Sequence, residues 1–348
     1  MGSTNSVNIT INLDRTNPFY FAGESVSGTV IADIKEEHVK VDEVFLVLKG
    51  KVGYTTDPSD FGPYGSRNMD GFFHEVSFFS EKKVLENLGP EKKELIYHSG
   101  QHSWKFNIQL PPQLPPTINE PLKYPHVRYY LKLVVDKPWY KRNTNETLNL
   151  IVFPCVNLLN NPQCLISSIF GGYNRKDVTL QGNINKLGYV HGEMITGTLL
   201  IENPQKILLK ETCLSLIQHY QIEHNTGKET IVHTIIPTIV NTQEEHITEK
   251  FSLAIPFTHL APSYQFHGGF PYPTNVNVNY VLEFEVKAQD MSTIVDVSTP
   301  IILGTDSDTN AKQHQLNHAT NVLPNSLSYY PDTIMCAEHP PATSYSVS

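Results

Sequence analysis

The sequence predicts an all-β protein built as two antiparallel β-sandwiches in tandem, and three observations carry that prediction. Apolar and polar residues alternate with a period of two in run after run, the pattern of strands with one buried face. No stretch of 11 or more residues holds a 3.6-residue period, whereas β-branched and aromatic runs separated by Gly, Pro and Asn recur throughout. Four segments also return in the same order, which marks an internal duplication. A chain of 348 residues has room for two cores, because single cores stop growing at about 250 residues.

Residues 7–13 (VNITINL) read as the first strand. In FAGESVSGTVIA, residues 21–32, Gly23 suits the positive φ of a turn and Glu24 begins the next strand. Along that strand Val26, Gly28, Val30, Ala32 and Ile34 face one way, and Ser25, Ser27, Thr29 and Asp33 the other. VHGEMITGTLLI, residues 190–201, repeats the stretch 169 positions later, laying Gly192, Glu193 and Gly197 on Gly23, Glu24 and Gly28. A mid-strand Gly such as Gly28 or Gly197 marks a bulge or close packing more often than a site.

VDEVFLVLK at 41–49 recurs as KETCLSLIQ at 210–218 with the same offset, and WKFNIQLP at 104–111 as EKFSLAIP at 249–256 with an offset of 145. VRYYLKLVV at 127–135 recurs as VNYVLEFEV at 278–286, offset 151. The fall from 169 to 145 places about 24 extra residues in the first copy, and Tyr54 to Asn87, rich in Gly, Pro, Ser and Asp, reads as the surface loop that holds them. Periodicity breaks from Pro154 to Arg175, where a join between domains is expected. Beyond Gly304 the chain is too poor in apolar residues to bury itself, so residues 305–348 read as a disordered tail.

Composition narrows the function. A net charge of −9 excludes the basic surface that nucleic-acid binding requires. The four cysteines, Cys155, Cys164, Cys213 and Cys336, include no C-x-x-C pair and fit a reducing compartment better than a disulfide scaffold. The first twenty residues hold no apolar signal core, and no run of 18 apolar residues occurs, so neither secretion nor a membrane span is expected.

The ordered set F-x-GE-x-V-x-GTV, V-x-x-V-x-L-x-x-KG, F-x-I-x-LP, VRYYLKLVVDKPW and LGY-x-x-GE-x-I-x-G-x-L resembles the arrestin superfamily, and within it the α-arrestins, from about Val7 to Gly304. The resemblance implies two immunoglobulin-like sandwiches, an arrestin N domain over 1–157 and an arrestin C domain over 158–304, with no catalytic centre and no cofactor. It also implies a cytoplasmic adaptor, peripherally associated with plasma membrane or endosomes. Such an adaptor binds membrane cargo, receptors or transporters, and couples it to endocytosis, protein transport or ubiquitin-ligase machinery. The family's ligase link runs through PPxY motifs that dock on WW domains. This sequence has none: Tyr345 stands two positions late after Pro340-Pro341, and Ala261-Pro262-Ser263-Tyr264 keeps only the second Pro and the Tyr. Ser167-Ser168 stand where many α-arrestins carry a Cys pair. Of the phosphate-sensing core of visual-type arrestins, only Arg128 has a plausible counterpart. A retromer-subunit-like scaffold in a stable sorting complex is the alternative adaptor reading, and a β-sandwich hydrolase or carbohydrate-binding module is the alternative from another class.

Candidate residues are weighed on their chemistry. A glycosidase needs two carboxylates about 5–10 Å apart, but Glu24 and Glu193 occupy equivalent places in separate copies and read as structural. No histidine pair sits at metal-ligand spacing within the expected fold; His314 and His318 lie in the tail. MGSTNS, residues 1–6, fits the myristoylation pattern at Gly2, the alternative being an ordinary N-terminus. EKKELI, residues 91–96, fits an acidic dileucine sorting pattern, unless Leu95 and Ile96 begin a buried strand. Lys137, Lys141 and Arg142 surround Trp139 and suit acidic lipid or a phosphorylated cargo tail; the alternative is a solvated loop with the Trp packed beneath it.

Overall fold

A computed structural model describes residues 7–56, 72–87, 95–120, 123–141, 143–173, 178–290 and 292–305. Gly2, residues 57–71 and 91–94, Arg142 and the expected tail from 306 onward lie outside the described residues. The first half contains β1 (Val7–Leu13), β2 (Phe19–Phe21), β3 (Ser25–Val41), β4 (Glu43–Thr56), β5 (Phe72–Asn87), β6 (Leu95–Gln109), β7 (His126–Asp136) and β8 (Thr144–Phe153). The second contains β9 (Ser168–Tyr173), β10 (Thr179–Ile184), β11 (Gly188–Val190), β12 (Met194–Glu202), β13 (Leu209–Ile222), β14 (Asn225–Thr242), β15 (His246–Ala254), β16 (Tyr264–Gly268), β17 (Thr274–Ala288) and β18 (Thr293–Gly304).

These strands form two sandwiches. In the first, a sheet ordered β1-β3-β6 faces one ordered β2-β8-β7-β4-β5. In the second, β15-β12-β10-β9 faces β11-β18-β17-β13-β14, with β16 also paired to β17. Pairing is antiparallel except where β2 joins β8 and β11 joins β18. The period-two pattern sets the faces: Val26, Val30 and Ala32 are buried against Leu46, Leu48, Leu131 and Leu133, and Ile195 and Leu199 against Leu214, Leu216 and Phe284. The polar residues between them line the outer face of each smaller sheet. Where the sequence breaks its periodicity, two short 3-10 turns, Leu158–Asn160 and Pro162–Leu165, are capped by the side chains of Asn157 and Asn161. The thiols of Cys164 and Cys213 are free and buried, and burial pushes both up.

One expectation is overturned. Much of the span expected as a loop, Tyr54 to Asn87, is strand: β5 pairs with β4 from Glu43 opposite Asn87 to Thr56 opposite Phe72. The alternation was hidden because the register slips twice, between Val44 and Phe45 and between Gly50 and Lys51, and each bulge shifts the inward phase by one residue. The 57–71 connection supplies about half of the first copy's extension, whereas the second copy turns back at once through Glu223 and His224. β5 also joins the two sandwiches. Phe78 is buried, its ring lies 6.0 Å from that of Phe266, and its carbonyl accepts a 2.8 Å hydrogen bond from the Phe270 N–H. Phe19 stacks on His259 at 5.2 Å, and the Asn225 amide donates to Thr55 Oγ1 at 3.1 Å.

Gly28 and Gly197 have a steric role. A Cβ on Gly28 would fall onto the Asn12 carbonyl and the Phe106 ring, and one on Gly197 onto the Asn183 carbonyl and the Phe251 ring. Gly28→Ala and Gly197→Ala should each cost about 1–3 kcal/mol, measured as a lower urea midpoint at unchanged slope. Gly268→Ala should cost less than either, since its nearest atom, on Phe266, is 3.6 Å away.

Candidate functional site

The turn before β3 is built around one carboxylate. Gly23 takes φ +89°, and the Glu24 Oε2 accepts the Phe21 N–H at 2.9 Å and an Arg15 N–H at 3.1 Å. The backbone closes on the neighbouring loop through Gly23 N–H to Pro111 O at 2.9 Å and Leu110 N–H to Glu24 O at 2.9 Å. The second domain repeats each contact. Gly192 takes φ +79°, and Glu193 accepts the Val190 N–H and the Lys186 ammonium, both at 2.9 Å. Its backbone closes on Ile255 in both directions, at 3.0 and 2.9 Å. Each glutamate is held by the backbone and a cation of its own turn.

A second duplicated device was not visible in the sequence. Tyr129 and Tyr280 are buried, and each hydroxyl donates at 2.6 Å to a loop carbonyl, Pro115 O and Ala261 O respectively. Burial pushes both phenols well up, so they remain donors. Two residues after each acceptor, a hydroxyl residue latches a strand: Thr117 pairs with Val152, and Ser263 with Leu303, through N–H to O and N–H to Oγ bonds of 2.8 and 2.9 Å. Ala261-Pro262-Ser263-Tyr264 is therefore part of the sandwich, with Ala261 buried. The sequence signal for the latch was the proline that stands between the acceptor and the hydroxyl residue in each copy, Pro116 and Pro262.

The two copies differ at one edge. In the second domain β9 pairs along β10, from Ile184 opposite Ser168 to Thr179 opposite Tyr173. In the first domain β1 holds the place of β10, pairing with β3 from Val7 opposite Ile34 to Leu13 opposite Gly28. Among the described residues nothing pairs with its other edge. Asn8, Thr10 and Asn12 on β1 are exposed and lie beside Asp33, Ile31 and Thr29 of β3. Lys105, Asn107 and Gln109 of β6 continue the polar surface. The open edge thus borders a broad polar sheet face.

The remaining candidates are scattered. Arg128 pairs with Glu75 on the outer face of the larger sheet, and Lys51 reaches the same carboxylate at 3.1 Å. Burial alone would raise Glu75, but the Lys51 hydrogen bond and the nearby Arg128 charge hold it below its ordinary value. Lys137 is buried, its ammonium donating to Thr144 Oγ1 at 3.0 Å, and burial lowers it. Lys141 is exposed, and Trp139 is 95% exposed, so the Trp is not packed beneath its loop. The structure therefore does not gather Lys137 and Lys141 into one exposed grip. Leu95 is buried at the start of β6, as the strand alternative for 91–96 requires, while Ile96 is exposed. Among the described residues no group of three or more His, Cys, Asp or Glu side chains is placed to hold a metal, and no helix is long and apolar enough to cross a membrane.

Two tandem β-sandwiches built on one strand order fit a two-domain arrestin fold. The family model "Arrestin (or S-antigen), N-terminal domain" matches residues 9–158, and "Arrestin (or S-antigen), C-terminal domain" matches residues 174–307. The chain belongs to the arrestin family. It is 28% identical over 229 residues to arrestin domain-containing protein 17 of Caenorhabditis elegans, a match covering 62% of this chain and 53% of that protein. The chain thus spans about half the length of this relative.

Glu24→Ala and Glu193→Ala strand a backbone N–H and a cation, and each should cost about 1–3 kcal/mol in urea unfolding. For Glu75 the depressed folded value means its stabilisation is present above its ordinary value of 4.5 and is lost as pH falls through the lower folded one. The stability gap between wild type and Glu75→Gln should accordingly be full near pH 7 and close in acid below about pH 4; a pH-independent gap would refute the pairing.

Proposed function

We propose that the chain is a non-enzymatic adaptor that binds extended segments of membrane-protein cargo along the open edge of β1 and couples that cargo to endocytic or protein-transport machinery. The observation that carries this reading is the asymmetry between the copies: the edge that β9 covers in the second domain pairs with nothing among the described residues in the first. An extended segment laid there extends the sheet, its backbone hydrogen bonds supplying affinity and the polar face of Asn8, Thr10 and Asn12 supplying selectivity. Arrestins are generally adaptors without catalysis, and the glutamates held in their own turns agree with that role. Ubiquitin-ligase recruitment through the segment at 261–264 is disfavoured, because those residues serve the fold.

One observation favours the alternative of a scaffold in a stable sorting complex. Leu159, Leu165, Ile166, Ile169 and Tyr173 are all exposed along the join and β9, and clustered exposed apolar side chains suit a constant partner.

Hydrogen exchange separates the readings. With an array of overlapping peptides from cytosolic tails of receptors and transporters, bound peptides should slow exchange at Val7–Leu13. Protection confined to Ser168–Tyr173, or no peptide bound at all, would count against the adaptor role.

A further inference from the structure

We propose that the loop between β7 and β8 is a membrane-contact tip that seats Trp139 and Tyr140 in the headgroup layer of a lipid bilayer. Trp139 is 95% and Tyr140 60% exposed, their rings edge to face at 5.9 Å. Neither side chain contributes to the core, yet the loop that carries them is firmly built. The Lys141 N–H closes a turn on Pro138 O at 2.7 Å, the Lys137 N–H donates to Asn143 Oδ1 at 2.8 Å, and the Asn143 amide donates to Asp136 Oδ1 at 2.6 Å. Lys137 and Pro138 are buried at its base. The two aromatics are displayed from a fixed platform.

The duplication shows that the fold does not need them. The equivalent connection, between β17 and β18, is closed by the Ala288 N–H on Ser292 O at 2.9 Å and by Ser292 on Asp290, and it has no aromatic residue. An indole and a phenol each join an apolar ring to a polar tip, which favours the boundary between headgroups and acyl chains over either water or hydrocarbon. Beside the two rings the exposed Lys141 adds attraction to acidic headgroups. A phosphopeptide grip is the weaker reading, because it needs several converging donors and Lys137 is already buried against Thr144. The proposal rests on the adaptor reading only in that it places the chain beside a membrane. A weak lipid contact and a weak cargo contact on one body then reinforce each other through effective concentration.

The chain has two tryptophans, Trp104 and Trp139, and the Trp104 indole is held by Glu86 at 3.0 Å. In Trp104→Phe the sole emitter is Trp139. Added phosphatidylcholine–phosphatidylserine vesicles should shift its emission to the blue, and lipids brominated on the acyl chains should quench it. Should Trp104→Phe not fold, the quenching difference between wild type and Trp139→Phe reads the same contact. Trp139→Ala in the wild-type chain should leave thermal unfolding unchanged and weaken vesicle co-sedimentation by about tenfold, the loss expected for withdrawing one large aromatic. Emission that ignores vesicles, or vesicle binding that survives Trp139→Ala, would overturn the proposal. So would protection of Trp139 by a phosphopeptide without any response to lipid. Cargo protection of β1 is read without vesicles, so failure of the lipid contact and failure of the adaptor role are distinguishable.

Discussion

A carboxylate that accepts the backbone N–H three residues before it is the constraint on which this structure rests. At Glu24 and again at Glu193 that bond closes a turn that a positive-φ glycine opens, and it sets the phase in which β3 and β12 begin. The side chains of those strands alternate by face, so a slip of one residue at the turn would carry Val26 and Val30, or Ile195 and Leu199, from the core to solvent. A cation, Arg15 or Lys186, also pairs with each carboxylate. Charge, backbone conformation and register are thereby tied to one residue in each domain.

Once that frame is repeated, the differences between the copies become informative. Tyr129 and Tyr280, Thr117 and Ser263, and the paired turns are the same in both domains and serve folding. The edge of β1 left unpaired among the described residues, the long 57–71 connection, the apolar β9 and the aromatic loop after β7 occur in one copy only. Functional surfaces are expected among features that the duplicated fold does not demand, and both the proposed cargo edge and the proposed lipid tip lie in the first domain. The contacts through Phe78, Phe19 and Asn225 join the two sandwiches.

Particular residues show why some of this was legible and some was not. The inward faces of β3 and β12 could be read directly, because a half-buried strand writes its burial into a period of two. Glu24 and Glu193 could be recognised as structural from their equal spacing. β5 was mistaken for a loop because two bulges break its alternation, and a bulge is a property of two strands in register. For Trp139 the sequence left both a packed and an exposed reading; its exposure depends on how the turn at Pro138 aims it. Lys137 was taken for a surface cation because its charge was visible and its partner, Thr144, was not.

By itself the sequence determined that the chain is β throughout, that one sandwich was used twice, and which residues face inward, since these follow from local periodicity and from the spacing of repeated segments. Only the tertiary structure decided which strand edge is left unpaired among the described residues, which aromatics stand in solvent and which polar groups latch loops to strands. The latches join groups 14 to 40 positions apart, as in the Tyr129 hydroxyl on Pro115 O and the Leu303 N–H on Ser263 Oγ. Such pairing is selected by the packing of the whole sandwich, and no local pattern encodes it.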